Sequence, residues 1–337
     1  LDVALEGDAR QDTAYLDQLE CNLQRASEVL YDITNGQAAL GNVNVYHDRG
    51  KWNDAHIRIY ADNQLRPYAS QGGVTTVPIS DPLTSTVIYL PGQVSMGATW
   101  NRYGNAGVTL GEDWPRTLAH ELGHYLLYLD DDYLGLNASG LLVPVSTCTN
   151  TIMTDAYRDD YSELRPPTNW LPDCANTLSN KSTGRSDWTT VETFYPALHI
   201  SDNPGPRSLP LAVTQVRFVE PITPMTVLPD PRFYLTQNGV RVQPGSHAQG
   251  NLFRGDRLES LGRPVVDQLL ARGAQPDDRV CVFEPEANRL GCKVVAADDN
   301  QQLALSTVSN WQPDVRITPV SSQTVNVQVL NLSPGLS

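Results

Sequence analysis

Asp113-Trp114-Pro115-Arg116-Thr117-Leu118-Ala119-His120-Glu121-Leu122-Gly123-His124-Tyr125-Leu126-Leu127-Tyr128-Leu129-Asp130-Asp131-Asp132 is the stretch of this 337-residue chain on which its reading turns. Leu118, Ala119, Leu122, Leu126 and Leu129 recur at the three- and four-residue spacings of a helix with one apolar side. Asp113 suits the cap, and Pro115 suits the first turn, where no backbone donor is needed. The helix is expected to fail at the aspartate triplet, because negative charge at a helix C-terminus opposes the macrodipole. Within it, His120 and His124 stand one turn apart on the same face, so both imidazoles can reach one metal ion. Glu121 is rotated around the helix from its neighbour. That offset suits a base that reaches an activated water without ligating the metal. The HExxH pattern thus points to zinc and to hydrolysis.

A catalytic zinc takes three protein ligands and keeps one position open. No histidine lies between His124 and His199, so the third ligand is expected to be a carboxylate. Asp130 and Asp131 stand ten and eleven residues after His120, where the chain leaves the helix and can turn back. Glu163, on a second helix expected over residues 155–164, is the competing ligand. Calcium ligation or simple solvation of the triplet is the blander reading. Isolated histidines such as His47, His199 and His247 are expected to serve packing or surface roles.

Outward from the motif, Tyr15, Leu16, Leu19, Leu23, Ala26, Val29 and Leu30 predict a long amphipathic helix over 9–34, stopped by Asn35-Gly36. Strands are expected at 43–47, at 55–61 with one face buried, and at 85–90. After Pro196 prolines cluster and the apolar runs become short and β-like, as at 279–283, 292–296 and 324–330. These shifts predict a first domain over 1–200, a Pro-rich linker over 201–210, and an all-β, sandwich-like accessory domain over 211–337.

Lys and Arg number 24 against 38 Asp and Glu, a net charge of -14 that repels phosphate backbones and disfavours a nucleic-acid partner. The same acidity suits calcium. The longest uncharged stretch, 133–154, is broken by Gly135, Asn137, Gly140, Pro144 and Asn150, so no membrane span is expected. Five cysteines lack any CxxC pair. Cys148 with Cys174, and Cys281 with Cys292, are placed to form disulfides, which leaves Cys21 over. With Asn-x-Ser sequons at Asn137, Asn180 and Asn331, this predicts a secreted or cell-surface location.

The run from His120 to Tyr133 resembles the metallopeptidase domain of calcium-activated chloride channel regulators and their bacterial relatives, a metzincin-like group with the pattern HExxHxxxGxxDE. In that resemblance the third ligand falls on Asp131, its acidic neighbour on Asp132 and a following tyrosine on Tyr133. The family's glycine position holds Tyr128, and the metzincin one holds Leu127. Thr151-Ile152-Met153 is similar to the family's Ser-Ile-Met segment, which resembles the methionine turn beneath the metal. Cys174 with Ser186-Asp187-Trp188 is similar to its closing segment, and 29–37 to the first helix of bacterial relatives. The resemblance covers about residues 10–195.

It implies an α+β zincin-like domain, with a mixed sheet and an active-site helix, acting as a zinc-dependent endopeptidase. His120, His124 and Asp131 would hold one zinc ion, Glu121 would be the general base, and Met153 would lie in support. Tyr157, four residues further on, is a candidate to assist the oxyanion. The substrate would be a protein or peptide, the chain itself included. The alternative expectation is a self-cleaving or catalytically quiet zincin-fold module for adhesion or recognition at the cell surface.

Overall fold

The structure, a computed structural model, describes all residues except 62–64, 72–78, 82–86, 89–92, 104–110, 139–141, 159–162, 201–212, 221–229, 255–256, 297–299, 309–313, 322–323 and 331–337. Two compact units divide the chain. The first comprises Leu1–Asn63, Pro67–Thr223 and Val315–Gln328; the second comprises Gln64–Arg66, Pro224–Asp314 and Val329–Ser337.

In the first unit the strands are β1 (Asp2–Leu5), β2 (Asn42–Tyr46), β3 (Ile57–Tyr60), β4 (Tyr68–Ala69), the paired β5 (Ile79–Ser80) and β6 (Val87–Ile88), β7 (Val94–Gly97), the paired β8 (Leu134–Leu136) and β9 (Leu142–Pro144), and β10 (Gln215–Val219). The helices are α1 (Thr13–Ile33), α2 (Asp113–Leu127), α3 (Leu178–Ser182) and α4 (Asp187–Phe194). Among the described residues, six strands form one sheet in the order β10-β2-β1-β3-β7-β4. All neighbours in it are parallel except β4, which runs antiparallel to β7 at the edge.

Parallel strands are covered on both faces, and β3 shows the consequence. The alternation at 55–61 predicts one buried face, yet Ile57, Arg58, Ile59 and Tyr60 are all buried. Arg58 is accommodated because its Nε donates to the Trp52 carbonyl at 2.8 Å and its guanidinium lies 5.3 Å from the Trp52 ring centre. Leu19, Leu23, Ala26 and Leu30 of α1, Val3, Val45, Ile57 and Met96 of the sheet, and Leu118 and Leu122 of α2 form one core. Each leucine, valine, isoleucine or methionine among them contributes roughly 1.5–3 kcal/mol by leaving water.

Three expectations are corrected. The domain boundary expected near residues 201–210 lies later, because β10 adds in parallel to β2 and so belongs to the first unit; residues 201–212 themselves lie outside the described residues. No described residue of 155–164 is helical. Arg116 takes the Ala156 carbonyl at 2.6 Å and also the Arg158 carbonyl, while Asp155 Oδ1 accepts from the Tyr157 N–H at 3.0 Å. Local side-chain bonds of this kind displace the helical ladder. Asp113 is not the cap of α2 either. Glu112 stands there without a side-chain cap bond, and Asp113 accepts instead from the Arg102 guanidinium at 2.7 Å. The strand expected at 85–90 is described only at Val87–Ile88.

The second unit contains β11 (Arg232–Gln237), β12 (Val240–Arg241), β13 (Gln249–Arg254), β14 (Arg257–Gly262), β15 (Gln268–Leu270), β16 (Arg279–Glu284), β17 (Arg289–Val294), β18 (Asn300–Ala304) and β19 (Ser306–Thr307). Strands β14-β13-β16-β17-β19 form an antiparallel sheet, while β11 pairs with β12, β15 and β18. Phe233 and Leu235 of β11 share one core with Leu252, Val280 and Val282 of the other sheet. β20 (Asp314–Ser321) and β21 (Thr324–Leu330) pair with each other.

Both disulfides are present. Cys281 and Cys292 face each other across β16 and β17, and Cys148–Cys174 closes a loop in the first unit. Cys21 is free and exposed.

Candidate metal centre

α2 is pinned to the sheet at its start, where Trp114 Nε1 donates to the Gly97 carbonyl at the end of β7 at 2.9 Å. Its other end is shaped by Tyr128, which takes the left-handed conformation at φ 61° and directs its N–H to the Gly123 carbonyl. The Leu129 N–H reaches the same carbonyl at 3.2 Å. This is the helix-ending geometry that normally selects glycine. A tyrosine there is strained by about 1–2 kcal/mol. Its ring is nonetheless buried, 4.4 Å from the Phe194 ring centre and 5.9 Å from that of Tyr195, and this packing offsets the strain.

The turn brings Asp131 back over the helix. His120 Nε2 and His124 Nε2 lie 3.2 Å apart, and Asp131 Oδ1 lies 3.3 Å from the first and 3.2 Å from the second. Among the described residues this is the one group of three or more His, Cys, Asp or Glu side chains close enough to share an ion. Donor atoms about 2.0–2.1 Å from a tetrahedral zinc stand about 3.3–3.4 Å apart, so the triangle fits such an ion.

The protons of this site can be assigned from its carbonyl partners. His120 Nδ1 donates to the Ile152 carbonyl at 2.9 Å, and His124 Nδ1 donates to the Leu129 carbonyl at 2.6 Å. Carbonyls only accept, so each Nδ1 carries its proton, and in the neutral form of each ring the Nε2 lone pair faces the other ring and the carboxylate. Asp131 Oδ1 is buried, with the two Nε2 atoms as its near neighbours. The three atoms therefore converge on one point, which a metal ion or a proton on Nε2 can hold together. Burial alone would lower the His124 pKa, but the Asp131 carboxylate, the charge of Glu121 and the Leu129 carbonyl lift it to about 9. Burial likewise acts to raise Asp131, and the two imidazoles outweigh it and hold that carboxyl well below the usual range.

The other residues singled out by the sequence take different places. Glu121 is buried on α2, close enough for its charge to act on His124. Asp130 stands outside the triangle, and burial lifts its pKa. Glu163 also stands outside it; burial and then the charge of Asp32 lift its carboxyl to about 7, and its carbonyl accepts from the Ile152 N–H at 3.1 Å. Met153 lies under α2 against Gly123, and its carbonyl accepts from the Asp132 N–H at 3.1 Å. The Tyr157 hydroxyl is 3.4 Å from Trp100 Nε1, which donates to it. Asn180 turns inward, accepting from Trp170 Nε1 and donating to the Ala175 carbonyl, so that sequon is committed to packing.

Several supports of the site carry no signal in the motif. The Ile152 and Leu129 carbonyls orient the histidines, and backbone groups leave no residue-type signature. Asp187 is another. Its Oδ2 accepts from Thr151 Oγ1 and from the Arg165 N–H, both at 2.8 Å, and its carboxyl faces that of Asp132. Burial and then the facing Asp187 push Asp132 well above the usual carboxylate range. Arg165 ties the disulfide loop together through Asn169, Thr149 and Asp173.

No family model, curated protein or solved structure matches this chain. Among the described residues no helix is long and apolar enough to cross a membrane, and this together with the two disulfides is compatible with an extracytoplasmic location.

Proposed function

We propose that the chain is a secreted or cell-surface zinc endopeptidase, with His120, His124 and Asp131 as metal ligands and Glu121 as general base. The observation that carries this reading is the triangle of two Nε2 atoms and one carboxylate oxygen, 3.2–3.3 Å on a side, with both Nδ1 atoms already committed to carbonyls. Zinc held there supplies a Lewis acid and brings the pKa of water towards about 7.

The chain's own residues supply the rest. The Ile152 and Leu129 carbonyls hold both imidazoles with Nε2 turned inward. Glu121 takes a proton from the water that attacks the scissile carbonyl, then passes it to the nitrogen as the C–N bond breaks. The products are a carboxylic acid and an amine. General base catalysis of this kind contributes about 10²–10⁴-fold.

Glu121→Gln is expected to keep one zinc per chain by elemental analysis and to abolish cleavage of casein. Cleavage by that variant at the wild-type rate would sink the assignment. Incubating the purified protein alone separates cutting of its own chain from cutting of other proteins.

A further inference from the structure

The left-handed turn at Tyr128 serves two ligands together. It places the Leu129 carbonyl 2.6 Å from His124 Nδ1, and three residues on it delivers Asp131 to both imidazoles. The conformation is one that a tyrosine leaves readily unless something holds it. The described restraints come from two other places in the chain. Phe194, the last residue of α4, lies tilted against the Tyr128 ring at 4.4 Å, and Tyr195, which follows it, stacks on that ring at 5.9 Å. Tyr195 also donates its hydroxyl to the Leu126 carbonyl at 2.7 Å, in the last turn of α2. Beyond β4, Gln71 Nε2 donates to the Tyr128 carbonyl at 3.2 Å.

We infer that Phe194 and Tyr195 form an aromatic clamp that holds Tyr128 in the left-handed conformation and thereby sets how tightly His124 and Asp131 bind metal. Phe194 and Tyr195 are positioning residues, acting through Tyr128 rather than on the ion. The inference rests on the reading of His120, His124 and Asp131 as ligands. It makes a prediction that packing alone does not. Once residue 128 is glycine, the turn no longer needs the clamp.

The test is a double-mutant cycle read as zinc dissociation constants, by competition with a chromophoric chelator on metal-free protein. Phe194→Ala is expected to bind zinc about tenfold more weakly, the lower end of the effect of removing an outer support of a metal ligand. Tyr128→Gly is expected to stay within about threefold of wild type, since glycine enters this conformation freely. Adding Phe194→Ala to Tyr128→Gly should then change the constant by less than about twofold. Equal affinity of Phe194→Ala and wild type overturns the inference, as does the same loss in both backgrounds. If Phe194→Ala does not fold, Phe194→Leu keeps most of the volume, loses the ring face and is judged by the same two criteria. Wild-type protein that takes up no zinc overturns the ligand reading and the clamp with it.

Discussion

Gly123 and Met153 are in contact: a β-carbon built on Gly123 would lie 2.8 Å from the Met153 sulfur and 3.7 Å from Leu129 Cδ1. The small residue inside HELGH is therefore fixed by what lies beneath the helix. Two effects oppose each other in Gly123→Ala. Helix propensity favours alanine by up to about 1 kcal/mol, whereas overpacking a filled core costs roughly 1–3 kcal/mol. Met153 is fully buried, so the overpacking wins. Gly123→Ala is expected to lower the stability of the metal-free protein by about 1 kcal/mol in urea unfolding. In a Met153→Ala background the same change is expected to raise it. Destabilisation of equal size in both backgrounds would show that Met153 is not the obstacle.

Asp131, Asp130 and Glu163 compete on sequence grounds for one role, and geometry separates them. Only Asp131 stands with the two imidazoles. Asp131→Ala is expected to weaken zinc binding more than a hundredfold, beyond the 10–100-fold that loss of an outer support typically causes. Asp130→Asn and Glu163→Gln are expected to stay within about threefold. Chelator competition on the three variants measures the order directly. A larger loss in Asp130→Asn than in Asp131→Ala would reverse the assignment.

The features legible beforehand are those in which one residue type does one local job. Helical spacing gave α2 and brought His120 to His124, and Asn35-Gly36 marked the end of α1. Cys281 and Cys292 paired as their spacing suggested. The features that escaped depend on distant partners. Arg58 reads as a solvent-facing residue of a half-buried strand until Trp52 is seen to receive it. Asp155 to Leu164 has a helical pattern, but Arg116 takes the carbonyls that a helix would need. Tyr128 breaks the glycine rule because the rings of Phe194 and Tyr195 lie against it. Asp187 supports Thr151 and Asp132 from a separate helix, and no local pattern could announce that.

The Cys148–Cys174 disulfide spans a sequence separation of 26 and lies buried beside Val145 and Trp170. Closing a loop of that length stabilises by about 3–4 kcal/mol in the chain-entropy view. The loop carries Thr154, whose hydroxyl donates to the Cys148 carbonyl at 2.8 Å, and Ile152, whose carbonyl orients His120. Replacing both cysteines with serine is expected to lower the free energy of unfolding by about 3 kcal/mol. A drop below about 1 kcal/mol would mean that the Arg165 contacts to Asn169, Thr149 and Asp173 already order the loop without the bridge.

Glu163 gives a pH dependence whose sign is fixed by its environment. Its carboxyl rises from an ordinary 4.5 to about 7, through burial first and the charge of Asp32 second. Between those two values the folded protein binds more protons than the unfolded chain, so stability falls as pH rises through the window and levels off above it. The full shift would be worth about 3 kcal/mol, but the group is half-exposed and solvent screening reduces the effect to about 1 kcal/mol. Glu163→Gln removes the ionisation. It is expected to match wild type near pH 4.5 and to exceed it by about 1 kcal/mol at pH 8, by urea unfolding with EDTA present. Because only the difference between the two proteins is read, titration of His124 and its neighbours cancels. A Gln variant no more stable than wild type at pH 8 would place the Glu163 carboxyl in water and remove the predicted slope.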